Sequence, residues 1–143
     1  MPKEIQGMSP EDRFIIVDNE ASILEGLRRG LRPFDIKNVL ACSSAADAFA
    51  AYQANPSSFR LLLTDLQMPG MTGVQLLQRI RAFESEMIKN TLRPRLKIIL
   101  MTGYHPNVHK LDDAKALGAD GFMQKPFATG ALISEMQRVL ALP

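Results

Sequence analysis

The chain predicts an α/β fold, a (βα)5 doubly wound parallel sheet of five strands. Five short apolar runs rich in branched side chains alternate with stretches of helical periodicity, and that alternation makes parallel strands joined by right-handed helical crossovers. The runs are apolar through their middles, as strands covered on both faces must be. Length agrees, since 143 residues form one domain with a single core and leave little for a second.

The elements follow in order. Residues 13–18 (RFIIVD) read as the first strand, and residues 21–31 as a helix with Ile23, Leu24, Leu27 and Leu31 on one face, stopped by Pro33. Residues 36–41 are the second strand. Ser43 or Ser44 caps a helix over 45–54, which ends before Asn55-Pro56. Residues 59–64 are the third strand. Thr72 caps a helix carrying Val74, Leu76, Leu77, Ile80 and Phe83, which fades into a polar stretch over 84–94. Residues 96–101 (LKIILM) are the fourth strand, and a helix over 106–117 stops at Gly118. A short fifth strand over 119–123 leads to a closing helix over 127–140, weakened at its start by Gly130.

Composition narrows the function classes. No apolar run approaches the roughly 20 residues that span a bilayer. Residues 1–11 are polar and contain proline, with no apolar core of a signal peptide, so they read as a flexible extension before a domain over 12–143. A net charge of +2 does not argue for nucleic acid. The basic clusters Arg28, Arg29, Arg32 and Arg93, Arg95, Lys97 carry no interleaved aromatics. Cys42 is the single cysteine and follows an apolar run, which suits a buried structural thiol in a cytoplasmic protein.

In a parallel sheet every strand ends at one shared edge, where open α/β folds bind ligands. That edge receives Asp18, Asn19 and Glu20 after the first strand, Asp65 after the third, Thr102 after the fourth and Lys125 after the fifth. Any one alone reads more simply as a cap or turn former.

Four pieces in register give the set a family. FIIVDNE (14–20), LLLTDLQMPGMTG (61–73), IILMTG (98–103) and GADGFMQKPF (118–127) resemble the receiver domain of two-component response regulators, over about residues 12 to 141. The resemblance implies the flavodoxin-like strand order 2-1-3-4-5. It implies that Asp65 is the phosphoryl acceptor, a carboxylate nucleophile forming an aspartyl phosphate. Mg2+ (or Mn2+) is then held by Asp18, Asn19, Asp65 and the Gln67 backbone carbonyl. Lys125 pairs with the phosphoryl oxygens, Thr102 donates its hydroxyl to one, and Phe122 turns inward as Thr102 moves. Gln67 and Tyr104 flank the path of attacking water and tune phosphoryl lifetime. The Lys125-Pro126 bond is cis in that family. The chain would catalyse its own phosphorylation and dephosphorylation rather than turn over a substrate.

Implied partners are a sensor histidine kinase or phosphotransfer protein and, for output, a downstream protein or an effector domain beyond Pro143. Direct contact with nucleic acid or membrane is not expected. Two positions depart from the family pattern. Its usual pair of adjacent acids reads Asp18-Asn19 here, which predicts weaker Mg2+ binding, with Glu20 as a compensating ligand. Gly121 stands where members that pair through the fourth-helix to fifth-helix face often carry an acid, so that dimer is disfavoured while other homodimers stay open. His105 and His109 have no companions at metal-ligand spacing and read as surface residues.

Two other readings compete. One is a receiver-fold module whose impaired metal site leaves it acting by protein contact without phosphorylation. The other is a flavodoxin-like nucleotide or flavin binder, which lacks a Gly-rich phosphate loop where the chain reads DNEAS.

Overall fold

A computed structural model describes residues 3–34, 36, 38–87 and 95–143. Strands and helices alternate as β1 (Arg13–Val17), α1 (Ala21–Leu31), β2 (Val39–Cys42), α2 (Ala45–Ala54), β3 (Phe59–Asp65), α3 (Gly73–Met87), β4 (Lys97–Thr102), α4 (Leu111–Ala116), β5 (Gly121–Gln124) and α5 (Thr129–Leu140). The sheet order is β2-β1-β3-β4-β5, and every neighbouring pair is parallel. This is the doubly wound, flavodoxin-like arrangement that the sequence predicts.

Successive side chains of a strand face opposite sides, so an all-apolar strand needs cover on both. Ile15, Val17, Leu62, Ile98 and Leu100 face one side, where Tyr52 of α2 and Leu76, Leu77 and Ile80 of α3 cover them. Phe14, Ile16, Leu61, Leu63, Ile99 and Met101 face the other, against Leu31 of α1 and Leu132, Met136 and Val139 of α5. Each fully buried Leu, Ile or Phe contributes about 1.5–3 kcal/mol.

Local chemistry sets the helix starts. Ser44 Oγ accepts from the Asp47 N–H at 3.1 Å and caps α2. At α3, Thr72 Oγ1 accepts from Gln75 N–H at 3.1 Å while Gln75 Oε1 accepts from Thr72 N–H at 2.9 Å. That reciprocal pair is a capping box, and it fixes where the chain leaves the loop after β3.

Several boundaries differ from expectation. β2 begins at Val39 rather than 36, because pairing with β1 starts at Phe14 and Val39; Ile36 still packs on the core, and Lys37 lies outside the described residues. α4 covers 111–116 rather than 106–117. Before it, the Asn107 N–H donates to His105 Nδ1 and the His109 N–H to Asp113 Oδ2. β5 starts at Gly121 rather than 119 and α5 at Thr129 rather than 127.

α3 runs to Met87, so the helix end expected in the polar stretch takes its first four residues, but Glu84 there is only 3% exposed. The rest of the predicted polar stretch, 88–94, lies outside the described residues. Residues 3–11 of the expected N-terminal extension lie against the domain. Ile5 is buried with the α1/α5 core, Lys3 N–H donates to the Pro33 carbonyl, and Gln6 N–H donates to Gln137 Oε1 at 3.0 Å.

Candidate functional site

The strand order reverses between β1 and β3, so the crevice of this sheet opens at their carboxyl ends. Asp18 and Asp65 sit there. Asp18 is fully buried and Asp65 nearly so. Buried carboxylates need partners, and these two share one cation. Lys125 Nζ lies 2.7 Å from Asp18 Oδ2 and 3.5 Å from Asp65 Oδ2. It is brought there by the turn after β5, whose Lys125-Pro126 bond is cis, as the family resemblance implies. Asp18 Oδ1 accepts the Glu20 N–H at 2.9 Å.

Asp65 is therefore less well compensated than Asp18. Burial raises its pKa above the ordinary carboxylate value, and Asp18 adds to that, while Lys125 and the amides of Gln67 and Leu66 work in the other direction. Two carboxylates around one ammonium leave an excess of one negative charge in a poorly hydrated place.

Thr102 at the end of β4 is buried, and its hydroxyl donates to the Tyr104 carbonyl at 3.1 Å, within its own loop. The Tyr104 side chain is 73% exposed. Gln67, Asn19 and Glu20 are exposed. Glu20 is the N-cap residue of α1 but makes no side-chain cap bond. Phe122 is half-buried and packs on the α2/α3 side of the core. The structure thus brings Asp18, Asp65 and Lys125 into contact and places Thr102 on the next strand end. Cys42 is buried and unpaired, and burial, with Asp47 adding to it, pushes its thiol up to about 11.

Two residues that hold Asp65 were missed in the sequence. Thr64 Oγ1 donates to the Asp65 carbonyl at 2.9 Å. Gly73 opens α3 against that same carbonyl, and a Cβ at 73 would collide with the Asp65 oxygen and lie 2.9 Å from Leu66 Cα. Its N–H donates to the Leu66 carbonyl at 3.0 Å. The signal available was the Pro/Gly-rich MPGMTG run itself, which marks a turn without saying what the turn grips.

Among the described residues, no group of three or more His, Cys, Asp and Glu is placed to hold a metal ion. Asn19, which follows Asp18, is an amide and adds no carboxylate to Asp18 and Asp65. The donor types that remain are the oxygens of Asp18 and Asp65, the Asn19 amide and the Gln67 carbonyl. All are hard oxygen donors, and together with the uncompensated negative charge they fit Mg2+ in kind. A cleft of about 920 Å3 opens between the loops after β3 and β4, lined in part by Leu66 and Gln67, which follow Asp65, and by Met68, His105 and Val108.

Comparison with known proteins agrees with this geometry. The response regulator receiver domain model matches residues 14–137. The chain is 26% identical to the chemotaxis protein CheY of Pseudomonas aeruginosa over 89% of this chain and 94% of that one. It is 28% identical to the transcriptional regulatory protein FixJ of Bradyrhizobium diazoefficiens, over 93% of this chain and 58% of that longer one.

Among solved structures, a receiver domain from Saccharomyces cerevisiae, co-crystallised with its histidine phosphotransfer signaling protein, superposes with a TM-score of 0.77. Its identity is 23% and the coverage is 94% of both chains. The receiver domain of an Arabidopsis thaliana histidine kinase complexed with Mg2+ and BeF3- superposes at 0.72, with 20% identity over 92% of this chain and 91% of that one. With the sheet order, the strand-end residues and the match over most of its length in agreement, the chain belongs to the response regulator receiver domain family and works in phosphorylation-dependent two-component signalling.

Proposed function

We propose that Asp65 accepts a phosphoryl group from a sensor histidine kinase or a phosphotransfer protein. The observation that carries this reading is Lys125 shared between Asp18 and Asp65 at the crevice of the sheet. In the transfer, an Asp65 carboxylate oxygen bonds to phosphorus as the donor's phosphorus–nitrogen bond breaks, and the imidazole leaves with that electron pair. Such a transfer needs positioning and charge neutralisation rather than proton chemistry at the acceptor.

Lys125 neutralises charge as a compact ammonium that moves from the carboxylates to the phosphoryl oxygens. Thr102 exchanges its bond to the Tyr104 carbonyl for one to a phosphoryl oxygen. That exchange couples the site to the loop after β4, and Phe122 on β5 turns inward as Thr102 moves. The added charge is satisfied in one of two conformations, which is a population shift. Gln67 and Tyr104, beside the acceptor, set the access of water and hence phosphoryl lifetime.

Mg2+ or Mn2+, held by Asp18, Asp65, Asn19 and the Gln67 carbonyl, with Glu20 as a further donor, would supply additional neutralisation of the phosphoryl oxygens. The FixJ relative is named a transcriptional regulator and is longer than this chain, which supports output through an effector domain or a downstream protein. The single, buried, unpaired Cys42 agrees with a cytoplasmic setting. Incubation with acetyl phosphate and Mg2+ should add one phosphoryl mass to the native protein and none to Asp65→Ala. Equal labelling of the two would show that the acceptor lies elsewhere.

A further inference from the structure

β5 is an edge strand of the sheet, and an edge presents backbone polar groups with no neighbouring strand to pair with. Two of these groups around Gly121 are taken by side chains of α5. The Phe122 N–H donates to Glu135 Oε2 at 2.9 Å, and Arg138 Nη2 donates to the Asp120 carbonyl at 2.6 Å. The two side chains are themselves joined, with Arg138 Nε 2.8 Å from Glu135 Oε1 and Nη2 3.1 Å from Oε2.

Gly121 makes the room. A Cβ at 121 would lie 2.8 Å from Glu135 Oε2 and 3.0 Å from Ile99 and Val139 side-chain carbons, so any side chain there would drive Glu135 off the strand. Burial opposes the charge on Glu135, but the bonds from Arg138 and from the Phe122 amide outweigh it and hold the carboxyl below its usual range. α5 is already held to the sheet by Leu132, Met136 and Val139 on its apolar face. The bond from Glu135 adds a specific tie between α5 and the backbone of Phe122.

We propose that Glu135 is a positioning residue that clamps the Phe122 amide to α5, so that a shift of Phe122 on phosphorylation is carried into α5. This rests on the reading of Asp65 as acceptor and Phe122 as the aromatic that moves. Arg138 steadies the carboxylate and holds the Asp120 carbonyl on the other side of Gly121. Gly121 is then a specific requirement of the device, because an acid at that position would both clash with Glu135 and repel it.

The test compares native protein, Glu135→Ala and Glu135→Gln by amide NMR, with and without acetyl phosphate and Mg2+. Glutamine keeps an acceptor oxygen for the Phe122 N–H and alanine does not. Without reagent, Phe122 amide exchange should quicken about tenfold in the alanine variant and stay near native in the glutamine variant, in proportion to one lost hydrogen bond to a charged group. With reagent, Thr102 and Phe122 resonances should shift in all three proteins, while α5 resonances shift in native and Glu135→Gln and stay still in Glu135→Ala.

Native-like α5 shifts in Glu135→Ala, or unchanged Phe122 exchange in that variant, would overturn the clamp. If Thr102 and Phe122 stay still in the native protein, the phosphorylation reading fails instead, and the exchange comparison still decides whether Glu135 holds Phe122.

Discussion

The two edges of the sheet each hold two buried carboxylates and a central cation, and they differ in how well that cation is matched. At the amino edge Arg81 spreads its donors over four acceptors. Nη1 bonds Glu84 Oε1 at 2.7 Å and the Leu96 carbonyl at 2.9 Å, Nε bonds the Gly118 carbonyl at 3.0 Å, and Nη2 bonds Asp120 Oδ2 at 3.1 Å. Glu84 Oε2 also accepts from the Tyr52 hydroxyl at 2.8 Å and the Leu96 N–H at 2.7 Å, and Asp120 Oδ2 from the Ile98 N–H at 2.9 Å. At the carboxyl edge a single ammonium stretches between Asp18 and Asp65, and the Asp65 separation is the longer.

A guanidinium presents five donors in a fixed fork, whereas an ammonium is a compact charge on a flexible stem. The first arrangement makes a permanent joint. The second leaves Asp65 under-compensated, with its cation held closer to Asp18, which suits the proposed phosphoryl acceptor. On the proposed reading of Asp65, incomplete matching rather than buried charge by itself marks the functional edge of this molecule.

The largest effect that tests this comparison is at Glu84. Replacing it by alanine takes one of two carboxylates from Arg81, which keeps Asp120 and two backbone carbonyls, and removes the oxygen that accepts from the Tyr52 hydroxyl and the Leu96 N–H. Breaking a buried, hydrogen-bonded ion pair costs about 3–5 kcal/mol, so urea unfolding of Glu84→Ala should show a loss of that order. Phosphoryl labelling of the folded fraction should stay at the native level, since the joint lies at the far edge from Asp65. A loss below about 1 kcal/mol, the range of an exposed pair, would mean that the amino edge is no better matched than the other.

The two edges were also unequally legible in the sequence. Asp18, Asp65, Thr102 and Lys125 stand out because each ends or follows an apolar run, and a parallel sheet gathers such positions at one edge. The alternation follows from those same runs, while the strand order came from the family resemblance. Glu84 reads from the sequence as part of a polar helix end, because a carboxylate after Phe83 breaks the apolar periodicity and an arginine three positions before it is what a solvated helix face also carries. Its other partners, Tyr52, 32 positions earlier, and Leu96, 12 positions later, are not named by anything local.

Glu135 and Arg138 were hidden for a different reason. An acid and a base three apart on a helix are what a solvated face also carries, and only the tertiary approach of β5 turns them inward. The short α4 was missed because hydrophobic periodicity does not register where a helix starts, and here the residues before Leu111 are tied by side-chain bonds of His105 and Asp113 instead.

A smaller effect should follow from changing the charge balance at the carboxyl edge. A unit charge about 5 Å from a divalent cation at an effective dielectric near 20 is worth roughly 6–7 kcal/mol of gross attraction, most of which is offset by desolvation. Asn19→Asp should therefore tighten Mg2+ binding, by about tenfold if roughly a fifth of that attraction survives. A titration followed by amide NMR reads this directly. Unchanged affinity would mean that the exposed side chain at position 19 does not reach the cation, and that Asp18 and Asp65 set the affinity alone.

The smallest effect is the one that most directly weighs the two edges. Burial raises the folded pKa of Asp65, with Asp18 contributing, against the pull of Lys125. The native state then binds a proton more readily at this group than the unfolded chain does. Its contribution to stability is fully present below the unfolded carboxylate pKa and is lost as pH rises through the folded pKa. Asp65→Asn imitates the protonated side chain at every pH. In EDTA its melting curve should coincide with that of the native protein in acid and lie above it near neutrality, by less than the Glu84→Ala shift and in the opposite direction. An Asp65→Asn protein that is less stable at neutral pH would show that Lys125 already compensates the acceptor fully. The carboxyl edge would then be as well matched as the amino edge, and incomplete matching could not be what makes Asp65 reactive.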